Sequence, residues 1–69
     1  MPQKITLTLH DVDAAPVMDY IADLLNPMPT ADRAAYFLTV AESAARAFGH
    51  RLTVVDTPTT RQLTMRRQD

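Results

Sequence analysis

Residues 51–67, RLTVVDTPTTRQLTMRR, decide the fold. Leu52 and Val54 alternate with Arg51, Thr53 and Val55, and Leu63 and Met65 alternate with Gln62, Thr64 and Arg66. Between the two runs stands Thr57-Pro58-Thr59, a turn-forming interruption. A period of two on both sides of such a turn predicts a β-hairpin. The closing run, RQLTMRR (61–67), then has one strand neighbour in the hairpin. With Arg66 and Arg67 near its end it is expected at the edge of the sheet, where charged side chains discourage pairing with other chains.

Working backwards, TADRAAYFLTVAESAARAFGH (30–50) changes the period. Ala34, Phe37, Leu38, Ala41, Ala44, Ala45 and Phe48 fall on one helical face, and Gly49 follows the last periodic residue. Thr30 is the expected N-cap, Asp32 lies in the first turn, and Glu42 and Arg46 form a favourably oriented i,i+4 pair. DVDAAPVMDYIADLLNPMP (11–29) is a second helical stretch. Val17, Ile21, Leu24 and Met28 form its stripe, widened by Ala14, Met18 and Leu25. Asp11 or Asp13 is expected to cap it, and Pro27 and Pro29 to end it. KITLTLH (4–10) alternates Ile5, Leu7 and Leu9 with polar residues and predicts a half-buried strand.

The order is therefore β-α-α-β-β. Layer packing predicts a two-layer α+β domain over residues 1–69, a three-stranded sheet with two helices on one face. If Ile5, Leu7, Leu9, Leu52, Val54, Leu63 and Met65 face the helices, the outer face carries Lys4, Thr6, Thr8, His10, Arg51, Thr53, Val55, Gln62, Thr64 and Arg66.

A chain of 69 residues with 46% hydrophobic and 22% charged side chains is a single small globular domain with a marginal core. It has no cysteine, which removes disulfides, thiolate zinc sites and a cysteine nucleophile together. Oligomerisation or docking on a partner is the remaining route to added stability. The net charge of −1 hides a gradient. Residues 1–30 set Lys4 against four aspartates for −3, residues 31–56 balance, and residues 57–69 set Arg61, Arg66 and Arg67 against Asp69 for +2. Such a polarity supports head-to-tail contact between subunits as readily as contact with nucleic acid. No apolar run approaches the ~20 residues of a membrane span. The start MPQKITLTLHDVD lacks the apolar core of a secretory signal, so a cytoplasmic protein is expected.

Chemistry is sparse. The one glycine, Gly49, is taken by a helix end, so no phosphate-cradling loop exists. The one serine, Ser43, lies in mid-helix rather than on a nucleophile elbow. His10, Asp11 and Asp13 are ligand types for zinc or manganese, but no second histidine has ligand spacing, and a strand end followed by a helix cap accounts for them. His50 follows a helix C-terminus, where a cation complements the dipole. Asp19 and Asp23 read as a solvated helix face that tolerates a small like-charge penalty. No cofactor, no metal and no catalytic set are expected.

Interaction surfaces are the better prospect. The second helix carries Tyr36, Val40, Ser43 and Ala47 beside its core face, and the combined apolar-and-small arc spans roughly 220°, beyond the ~100° a surface helix needs. It is expected either to be pinned between sheet and first helix or to meet another chain. All four aromatics, Tyr20, Tyr36, Phe37 and Phe48, belong to the helices, so the sheet offers no stacking platform for bases. The expected partner-binding residues are Arg51, Arg61, Arg66, Arg67, Tyr36, Val40 and Ala47.

ITLTLHDVDAAPVMDYIADLL (5–25) resembles the strand-then-helix opening of secretin and TonB short N-terminal domains, but the strand pair that follows there is replaced here by NPMPTADRAAYF and a long helix. In size and lack of cysteine or catalytic motif the chain is similar to phage and mobile-element inhibitors such as anti-CRISPR proteins, which implies steric occlusion of a host complex. The function expected is that of a small, non-enzymatic protein–protein interaction module, homodimeric, with an inhibitor of that kind as its concrete form. The alternative is a nucleic-acid-binding regulator using the basic C-terminal strand.

Overall fold

A computed structural model describes residues 4–68. Along the chain run strand β1 (Lys4–His10), helix α1 (Ala14–Leu25), helix α2 (Thr30–Phe48), strand β2 (His50–Asp56) and strand β3 (Thr60–Arg67). The three strands form one mixed sheet and the fold is α+β, as the alternating and helical periods predict.

The sheet order is β1-β3-β2, with β3 parallel to β1 and antiparallel to β2. This corrects the expectation that β3 is an edge strand. The last strand lies in the middle, and its two core side chains, Leu63 and Met65, are almost wholly buried. Alternation reports which face a side chain takes, not how many neighbours a strand has. Arg66 and Arg67 suggested an edge, yet they stand at the strand's end, where charge stays hydrated even in a central strand. The open edges of the described sheet belong to β1 and β2.

The registers set out the two faces in rows. On the helix side lie Leu7–Leu63–Val54 and Leu9–Met65–Leu52, and on the outer side Thr6–Gln62–Val55, Thr8–Thr64–Thr53 and His10–Arg66–Arg51. Both faces agree with the division read from the alternation. The core comprises Val17, Ile21, Val40, Ala41, Ala44, Ala45, Leu63 and Met65. Three alanines in that set carry little side-chain bulk, so α2 can lie close to its neighbours. Val17 and Ile21 supply the buried face of α1, with Tyr20, Leu25 and Met28 packed against the cluster. Met18 and Leu24, expected in the stripe, are instead exposed.

The helix ends differ in detail from expectation. Asp13 is the N-cap of α1 but makes no side-chain capping bond. Thr30 is already helical, and Pro29 with extended backbone takes the cap position of α2 without a side-chain bond of its own. The α1–α2 turn is instead held by Arg33, whose Nε donates to the Met28 carbonyl and Nη2 to the Asn26 carbonyl, each at 3.2 Å. Gly49 ends α2 in the left-handed region at φ 70°, where its N–H meets the Ala45 and Arg46 carbonyls. No described helix is long and apolar enough to cross a membrane.

Candidate functional site

The β2–β3 turn fixes which backbone groups are free at the open edge of β2. Thr57 donates its N–H to the Thr60 carbonyl at 2.8 Å, so this pair is a hydrogen-bonded one. Bonded and non-bonded pairs alternate along an antiparallel ladder. Arg51, Thr53 and Val55 therefore bond toward β3, and His50, Leu52, Val54 and Asp56 turn their N–H and C=O groups outward. The parallel side agrees: Lys4 donates to the Thr59 carbonyl at 3.0 Å, which assigns the odd-numbered residues of β3 to β1.

Natural edges are protected by proline, lysine, bulges or inward-pointing charge. The middle of β2, Leu52-Thr53-Val54-Val55, has none of the residues that serve this purpose. Val54 and Val55 are 38% and 53% exposed. Beside the edge, on the helix side, lies a groove of about 350 Å³ between α2 and β2. Leu38, Ala45, Leu52 and Val54 line it, with Glu42 and Arg46 at its rim. His50 also lines this groove; its ring stacks on Phe48 with centroids 6.3 Å apart, and its buried Nδ1 has no hydrogen-bond partner. Phe48 in turn meets Tyr20 edge-on at 5.8 Å, tying the end of α2 to α1.

A second surface lies at the opposite end of β3. His10, Arg66 and Arg51 form one outer-face row across all three strands. Arg51, Arg66, Arg67 and Gln68 enclose a shallow depression of about 300 Å³. Like charges directly opposite one another cost stability. Among the described residues the ion pair is elsewhere, between Arg61 Nε and Asp56 Oδ1 at 2.9 Å.

The residues expected at a partner surface are thus dispersed. Arg51, Arg66 and Arg67 come together, whereas Arg61 is engaged with Asp56 at the other end of the hairpin. Tyr36 and Ala47 are exposed on α2, Tyr36 at 51%. Val40, at 5% exposure, belongs to the core and presents nothing to a partner. The wide apolar arc of α2 is explained in part by packing, since α1 and β2 both contact the helix. His10 and the two aspartates part company: His10 joins the outer basic row, while Asp11 and Asp13 line a cleft with Phe48, His50 and Arg67. Among the described residues no group of three His, Cys, Asp or Glu side chains converges to hold a metal. The groove along β2 was missed from sequence because it needs the strand order, which puts β2 at an edge.

Comparison of the chain with protein-family models, with curated proteins and with solved structures finds no match.

Proposed function

We propose that the protein is a non-enzymatic interaction module that docks a protein partner at the β2 edge. The observation that carries this reading is the unprotected edge itself, with outward backbone groups at Leu52 and Val54 beside an apolar groove. A strand added there gains main-chain hydrogen bonds from the edge and side-chain contacts from the groove. Action is then steric, as in an inhibitor or adaptor that covers a surface of its partner.

The test is capture from the native host with two baits. Val54→Pro removes an outward N–H that β3 does not use, so the domain stays folded while the edge loses a donor. A partner held by the wild-type chain and lost from the proline variant supports the reading. A partner held equally by both overturns it.

The basic row supports a second reading, in which Arg51, Arg66 and Arg67 contact the phosphates of a nucleic acid. Counterion release then makes affinity for an oligonucleotide fall steeply with salt. A flat salt response, or no binding at low salt, rejects it. The lack of aromatic side chains on the sheet face weighs against it for single strands.

A further inference from the structure

We infer that the occupant of the β2 edge is β2 of a second copy of this chain, paired antiparallel in a register centred on Thr53. The inference rests on the edge reading above and adds the identity of the partner.

Three independent features of β2 fit its own copy. The first is backbone parity. A two-fold axis at Thr53 sets Leu52 against Val54 of the second copy and His50 against Asp56 of the second copy. All four residues direct their N–H and C=O groups outward, so each of these pairs exchanges both bonds and no edge group faces its own kind. The register also uses the whole seven-residue strand, His50–Asp56. A shift of the centre by one residue would pair outward groups with outward groups only in part of the strand and leave the ends overhanging.

The second feature is side-chain continuity. On the helix side the row Leu7–Leu63–Val54 continues into Leu52–Met65–Leu9 of the second copy, giving six apolar residues in line. On the outer side Thr8–Thr64–Thr53 continues into the same three threonines reversed. The α2–β2 groove of each copy then adjoins the groove of the other, and the exposed Val54 side chain gains a neighbour across the axis.

The third feature is charge. Each end of the paired strands sets an imidazole against a carboxylate, His50 against Asp56. Asp56 is already oriented by Arg61 at 2.9 Å. The other open edge lacks this fit. Antiparallel self-pairing of β1 along its full length, centred on Leu7, would set Lys4 against His10 of the second copy and bring two basic groups together. A closed, isologous contact of this kind gives a dimer rather than a filament, because each copy uses its β2 edge once.

Cross-linking tests both the partner and the register, since the wild-type chain has no cysteine. Opposed residues in a non-hydrogen-bonded antiparallel pair have Cα atoms about 4.5 Å apart, within the range a disulfide spans. Thr53 faces solvent on the outer side, so Thr53→Cys leaves the core intact. The expected result is that Thr53→Cys oxidises to a covalent dimer at micromolar concentration, whereas Thr8→Cys, on the same face of β1, stays monomeric under identical conditions. Cross-linking of Thr8→Cys in preference to Thr53→Cys, or of neither above a denatured control, overturns the inference. The edge reading is judged separately. If neither variant cross-links but a host protein is captured by the wild-type chain and lost with Val54→Pro, the edge docks a different partner. If capture also survives Val54→Pro, both readings fail.

Discussion

Among the described residues two hold left-handed backbone, Asp11 at φ 53° and Gly49 at φ 70°. A Cβ added at Gly49 meets nothing within 4 Å, so the price of a side chain there is backbone strain alone. Gly49→Ala is expected to lose about 1 kcal/mol in chemical denaturation, and Gly49→Asn less, because asparagine tolerates this region. Equal losses for the two would point to a packing cost instead. Asp11 is also a residue type that enters this region readily, and Asp11→Val is expected to lose about 1–2 kcal/mol while Asp11→Asn is near neutral. The two positions differed in legibility. Gly49 was readable because a lone glycine after a periodic helix has one ordinary use. Asp11 was not, since an aspartate before a helix reads as a cap, and a side-chain cap and a left-handed turn favour the same residue types.

The elements themselves were readable, and their neighbours were not. Alternation in KITLTLH, RLTVVDT and RQLTMRR marked three strands and their inward faces correctly, down to Leu63 and Met65 in the core. It could not show that β1 runs beside β3, because that parallel contact joins segments separated by both helices and β2. The arc of α2 likewise told that more than one contact was made, but only the assembled layers show that Val40 is core and Tyr36 is not. The alternation of bonded pairs in β2 gives a prediction at this scale. Val54→Pro should stay folded, with its circular dichroism and melting close to the wild-type domain under monomeric conditions. Val55→Pro removes a bond to the Gln62 carbonyl in the central strand and should destabilise the domain by about 1–3 kcal/mol, the cost of an unmade buried bond. Equal melting of the two variants would refute the assignment of outward groups.

At the scale of the molecule, the described fold leaves one sheet face and two sheet edges open, and among the described residues Leu63, Met65 and Val17 are the large side chains buried to under 2% exposure. Such a core is easily weakened: Met65→Ala is expected to cost about 2–5 kcal/mol, read as the shift in denaturation midpoint at constant slope. A small domain of this kind gains from any contact that extends its core, and pairing at β2 does so by running the apolar rows of one copy into those of another. An interaction module and a homodimer were expected from sequence, but the β2 edge on which both proposals now depend was not, because it follows from the strand order β1-β3-β2, which alternation does not encode. The sharpest measurement is the solution mass by sedimentation equilibrium across a range of concentrations, for the wild-type chain and Val54→Pro side by side. Twice the 7.7 kDa chain mass is expected for the wild type and the single chain mass for the folded variant. A wild-type chain that remains at the single mass throughout, or a variant that dimerises as well as the wild type, would contradict it.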